Sequence, residues 1–151
     1  MAENNANNEQ VRRWMETLHN NGYRLTAPRR SVVRVLAGSQ RALSATEIYD
    51  QARKQYPSLG LVSVYRALDK LEELGLIQRV HHPDGCHAYI AGFTGHQHLL
   101  ICQSCGRTDY FEGDNLDHLI NRVSKESGYR IGDHWLQLFG TCPDCGAVAG
   151  N

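Results

Sequence analysis

Residues 63–90 read SVYRALDKLEELGLIQRVHHPDGCHAYI, and the two halves of this stretch carry different periodicities. Val64, Ala67, Leu68, Leu71 and Leu74 recur at helical spacing, so the first half is an amphipathic helix with one buried stripe. Ser63 is placed to cap it and Gly75 to end it. Beyond Gly75 the pattern changes. Ile77–His81 and His87–Ile90 read as short strands around the turn Pro83-Asp84-Gly85. A helix that runs into a hairpin is the second half of a winged helix-turn-helix, provided that shorter helices precede it.

Such helices do precede it. From Glu9 to Asn20 the apolar positions Val11, Trp14, Met15 and Leu18 share one face, and Asn21-Gly22 stops the run. Thr26 caps a second helix with Pro28 in its first turn and Val32, Val33 and Leu36 inside. Ser44 and Glu47 have the spacing of a capping box for a third, with Leu43 stapled to Ile48. The first eight residues, rich in Asn and Ala, read as disordered. The winged helix is therefore expected over 9–91. The helix after Ser63 is its recognition helix, with Ser63, Tyr65, Arg66 and Asp69 on the outer face near its start. Arg24, Arg29 and Arg30 suit phosphate contacts by type.

The character changes at residues 92–95, which read as a hinge. His98 to Cys102 and Arg107 to Phe111 have strand character. A helix capped by Asp114 follows, with Leu116, Leu119, Ile120 and Val123 on one face and Gly128 at its end. Tyr129 to Phe139 reads as a last strand with a bulge at Gly132-Asp133. Residues 96–151 thus form a small α/β domain, and the chain as a whole is α+β.

That second domain holds two Cys-x-x-Cys pairs, Cys102-Gln-Ser-Cys105 and Cys142-Pro-Asp-Cys145, each followed by glycine. Two such pairs complete a tetrahedral all-sulfur shell suited to structural Zn(II). The chain opens on a polar stretch without the features of a signal peptide, and no apolar run approaches membrane-helix length. A cytoplasmic location is expected, where thiols stay reduced, and this weighs against a disulfide framework.

Seven of the eight histidines lie in or after the hairpin. His96 and His98 alternate, so on an extended segment both rings point the same way. With Asp117 and His134 they would supply three nitrogens and a carboxylate oxygen. That donor set suits Zn(II), Fe(II), Mn(II) or Co(II). Net charge is zero but uneven: residues 1–80 carry an excess of Lys and Arg, and 81–151 an excess of Asp and Glu. Residues 11–41 hold seven arginines and one acid, which points to an anionic partner for the first half. A zinc hydrolase using His96, His98 and His134 is the rival from another class. It lacks a nucleophile constellation, and it leaves the basic winged helix unexplained.

Tyr23-Arg24-Leu25-Thr26-Ala27-Pro28-Arg29, Val64-Tyr65-Arg66-Ala67-Leu68, His96-x-His98 leading into Cys102-x-x-Cys105, and Phe139-Gly-Thr-Cys142-x-x-Cys145 together resemble the ferric uptake regulator family. The resemblance implies a homodimeric, metal-dependent repressor that binds palindromic double-stranded DNA, with residues 96–151 as its dimerisation domain. It implies structural zinc at Cys102, Cys105, Cys142 and Cys145, and a second divalent metal at His96, His98, Asp117 and His134.

One set of residues departs from the family pattern. The family's usual sensing site takes two histidines interleaved with the first pair, and Gln97 and Leu99 stand there. Its acidic position on the second hairpin strand falls at Ile90, and its N-domain histidine at Ala42. Sensing is therefore expected either at His96/His98/Asp117/His134 or at a rearranged site drawing on His81, His82, Cys86 and His87. The second arrangement resembles the zinc uptake regulator branch. Zinc is the expected signal for metal-homeostasis genes, with iron, manganese or peroxide as alternatives.

Overall fold

The computed structural model describes residues 2–82, 84–92, 97–112 and 116–148. The chain divides into two compact units, Met1–Phe93 and Thr94–Asn151.

In the first unit the helices α1 (Ala2–Asn20), α2 (Ala27–Ala37), α3 (Ala45–Arg53) and α4 (Leu61–Glu73) surround a single apolar core. Trp14, Leu18, Val32, Val33, Leu36, Ile48, Val64, Leu68 and Leu71 lie in it, all but Trp14 fully buried. Each such side chain removes enough surface from water to contribute about 1.5–3 kcal/mol. Thr26 caps α2, its hydroxyl accepting the Arg29 amide. Ser44 and Glu47 form the complete capping box of α3: the Glu47 amide donates to Ser44 Oγ at 3.2 Å and the Ser44 amide to Glu47 Oε2 at 2.8 Å. Partial burial works against the Glu47 carboxylate. The Ser44 amide and the Arg41 guanidinium at 2.8 Å outweigh it and hold the carboxyl below its ordinary value.

The hairpin of β2 (Ile77–His81) and β3 (His87–Ala91) pairs with a two-residue strand β1 (Leu43–Ser44), in the order β1-β3-β2. All pairings are antiparallel, and His81 stands opposite His87. Arg79 on β2 pairs with Glu72 on α4 and lies over the Tyr89 ring, tying the hairpin to α4.

The second unit is a three-stranded sheet in the order β5-β4-β6. Strand β4 (Gln97–Cys102) runs antiparallel to β5 (Thr108–Glu112) and parallel to β6 (Gln137–Gly140). Helices α5 (Asp117–Ser127) and α6 (Pro143–Val148) complete it. Gly128 ends α5 in the left-handed conformation, φ 76°, which glycine adopts without steric cost.

Several expectations need correction. Residues 2–8 are helical rather than disordered. Once α1 is nucleated by docking Trp14 and Leu18, each further residue adds a hydrogen bond at little cost. Gly60, not Ser63, is the N-cap of α4, because the chain enters the helix three residues earlier; Ser63 sits in the first turn. Gly92 is no free hinge residue. Its amide donates to the Leu76 carbonyl at 2.8 Å, and a Cβ there would meet the Gly75 carbonyl oxygen at 2.5 Å. The other proposed hinge positions, 93–95, and the proposed cap Asp114 lie outside the described residues. Of the expected strand Tyr129 to Phe139, only Gln137 to Phe139 is strand, as part of β6, which pairs with Leu99–Cys102 of β4. Gly146 needs no special conformation, because it lies inside α6.

Candidate metal centre and nucleic-acid interface

The two cysteine pairs meet because β4 and β6 are parallel neighbours. Register pairs Cys102 with Gly140, so both strands end side by side and both pairs follow at the same edge. Cys102 closes β4. Cys105 lies in the turn that Gly106, at φ 75°, carries into β5. The Gly106 amide donates to the Cys102 carbonyl at 2.9 Å, and the Gly146 amide to the Cys142 carbonyl at 2.8 Å. These bonds give the two pairs similar tight backbones.

All four Sγ atoms lie within 4.8 Å of one another. Cys105 Sγ and Cys142 Sγ are 3.8 Å apart, too far for a disulfide at about 2.05 Å. The edge of a tetrahedron with zinc–sulfur bonds of about 2.3 Å is roughly this long, so the donor set fits a Zn(II) ion. The electrostatics agree. The Cys142 amide donates to Cys102 Sγ at 3.3 Å, and this bond leads the causes that lower the Cys102 thiol to about 6. Cys145 is pushed up to about 12, first by sharing its proton with Cys142 and Cys105, then by desolvation and the Cys102 charge. Crowded sulfurs cannot all ionise without a cation between them.

Arg107 links the two pairs, an arrangement that sequence reading missed. Its guanidinium reaches Asp144, inside the second pair, at 3.0 Å and Asp109 at 3.1 Å. Opposite charges flanking Cys105 and lying within Cys142–Cys145 were the available signal.

Of the proposed second site, His98 and His134 come together with ring centroids 5.5 Å apart. His98 is only 6% exposed and also lies against Phe111. Asp117 opens α5, and His96 lies outside the described residues. In the wing, His81 and His87 meet edge to face at 4.8 Å. Cys86 is an exposed free thiol whose amide donates to Asp84, and the His82 amide donates to the Cys86 carbonyl at 3.0 Å. The departures from the expected sensing set are now concrete, since Leu99, Ile90 and Ala42 are buried in the cores of their own units.

On the winged helix, Tyr65 and Arg66 are exposed on α4 and Ser63 is half-buried. Arg24 is exposed. Arg29 is half-buried, donating to the Arg24 carbonyl and lying over the Tyr23 ring, and Arg30 Nε donates to the Leu25 carbonyl at 3.2 Å. These two arginines therefore also hold the loop into α2.

The ferric uptake regulator family model matches residues 20–139. The chain belongs to the ferric uptake regulator family. It is 32% identical over 139 residues to the ferric uptake regulation protein of Bacillus subtilis, covering 89% of this chain and 93% of that one. A solved zinc-bound manganese uptake regulator is 29% identical, with a TM-score of 0.65 over 85% of this chain and 98% of that one. A zinc uptake regulator complexed with zinc and DNA shares the fold at a TM-score of 0.78, 23% identity and 96% and 98% coverage. Members of the family are metal-responsive, DNA-binding transcription regulators and not enzymes, so the hydrolase alternative falls. Among the described residues, no helix is long and apolar enough to cross a membrane.

Proposed function

We propose that this chain is a zinc-sensing repressor of metal-homeostasis genes, acting in the cytoplasm as a homodimer on a palindromic operator. The observation that carries the zinc reading is the burial of Leu99, Ile90 and Ala42 at the positions of the family's usual sensing site. Aliphatic side chains at 0%, 2% and 5% exposure offer no ligand. Regulation then falls to the remaining donors. Cys102, Cys105, Cys142 and Cys145 hold a permanent Zn(II) that supplies a covalent-like cross-link between β4 and β6. His98 and His134, with His96 and Asp117, take the regulatory ion. The wing donors His81, His82, Cys86 and His87 are the second reading, favoured by the His81–His87 contact and by the soft sulfur of Cys86.

Ser63, Tyr65 and Arg66 read bases, while Arg24, Arg29 and Arg30 hold phosphates, so affinity falls as salt rises. The regulatory ion must bind the DNA-competent state more tightly than the other, because equal affinity shifts nothing.

The test is fluorescence anisotropy with a duplex operator enriched from a random library. Protein keeping only its structural zinc is titrated with Zn(II), Mn(II) and Fe(II) at matched free concentrations. Zinc is expected to tighten binding by about tenfold or more, the usual size of an allosteric coupling. Equal affinity with and without metal overturns metal control, and a stronger response to iron or manganese overturns zinc. Loss of the response in His134→Ala but not in Cys86→Ser supports the first site, and the reverse supports the wing.

A further inference from the structure

The outer face of α4 carries a residue that none of these assignments uses. Val64, Ala67, Leu68 and Leu71 form its buried face, at 0–2% exposure. Opposite them, Val62, Tyr65, Arg66 and Asp69 follow one another at helical spacing along a single exposed stripe. Val62 opens that stripe and is 64% exposed, with Leu61 beside it at 40%. Gly60 leaves the helix start without a side-chain cap, so no polar group stands over Val62 from the cap position.

We infer that Val62 is a specificity-determining residue that reads the C5-methyl group of a thymine in the major groove. The inference rests on the DNA-binding reading above and deepens it. A methyl group is the one apolar feature that a base pair presents on the major-groove edge, and only thymine carries it. An isopropyl group cannot hydrogen-bond a base, so its discrimination comes from burying that methyl against its own. Charge favours nucleic acid over a protein as the occupant. Arg66 lies one turn further along the same stripe, and the arginines of residues 11–41 belong to the same unit. Arg66 is the donor type that pairs with guanine N7 and O6. Val62 and Arg66 are about 6 Å apart along the helix axis, roughly two base steps at ~3.4 Å each. The half-site therefore places a thymine within about two steps of a guanine.

The experiment uses full-length, metal-loaded protein and the operator enriched from a random duplex library. Each half-site thymine is replaced singly by deoxyuridine, which lacks only the C5-methyl. Affinities of the wild type and of Val62→Ala are measured for each duplex. One deoxyuridine position should weaken wild-type binding by about fourfold per half-site, the worth of one buried methyl group. Val62→Ala should lose a similar factor on the unmodified operator and become indifferent to deoxyuridine at that position alone. Val62→Thr, which keeps one methyl, should retain part of the sensitivity. Independent, additive effects of the two changes overturn the inference, as does a Val62→Ala protein with unchanged affinity. A shift in sedimentation of the free protein on Val62→Ala, without a change in deoxyuridine sensitivity, assigns Val62 to a protein contact and also overturns it. Failure of the wild type to enrich any operator refutes the DNA-binding reading instead.

Discussion

Removing the metal from the four cysteines should unfold the second unit and spare the first. Within Thr94–Asn151, Leu99 and Ile101 are the fully buried aliphatic side chains among the described residues. Together they contribute about 3–6 kcal/mol. Helix α5 buries no residue fully, and Leu100, Leu119, Val123, Trp135 and Leu138 stay 41–58% exposed. Two fully buried aliphatics are few for a unit of this size, because the ordering of its backbone opposes folding. A structural zinc ion contributes an apparent ~10–16 kcal/mol at neutral pH, more than the two aliphatics together, so its loss is expected to abolish the fold of this unit. The first unit has a continuous core from Trp14 to Tyr89 and needs no metal. The assay is hydrogen exchange followed by mass spectrometry, before and after chelation, with zinc content measured. Amides of β4 and β6 should lose protection by a factor of about a thousand or more, equivalent to ~4 kcal/mol, while α4 keeps its own. Cys142→Ser should do the same. Retained protection in β4 and β6, with zinc below about one tenth per chain, would refute the reasoning, because the sulfur shell would then contribute little to folding.

Zinc affinity should rise with pH. The Cys102 thiol ionises near 6, but Cys145, raised to about 12, keeps its proton at neutrality and must release it to ligate. Apparent affinity therefore increases about tenfold or more per pH unit, which chelator competition at several pH values checks; a flat profile contradicts proton displacement. Ser44→Ala removes one arm of the capping box and should destabilise the first unit by about 1 kcal/mol, lowering its melting temperature by roughly 4–8 °C. Gly92→Ala brings a Cβ to 2.5 Å from the Gly75 carbonyl oxygen and 3.2 Å from the Leu76 backbone. A backbone obstacle cannot rotate away, so a loss of about 1–3 kcal/mol is expected in urea unfolding, and an unchanged midpoint refutes the close approach.

The sequence by itself determined most features whose physics is local, the cap of α4 at Gly60 being an exception. The stripe Val64, Ala67, Leu68 and Leu71, the box Ser44–Glu47 and the cap Thr26 are periodicities and short-range hydrogen bonds, and they formed where the residues require. The Cys-x-x-Cys spacing likewise dictates two thiols per turn. The tertiary structure alone decided which distant segments became neighbours. Nothing in the spacing of Cys105 and Cys142 specifies that β6 lies parallel to β4, yet that pairing brings the sulfurs within 4.8 Å. The short strand β1 and the clasp of Arg107 on Asp144 are also long-range contacts without a local signature. The same limit explains the errors at Gly92 and Tyr129–Leu136. Glycine signals freedom until a carbonyl occupies its Cβ space, and an apolar run becomes a strand only where it pairs with a neighbour, as Gln137–Gly140 does with Leu99–Cys102.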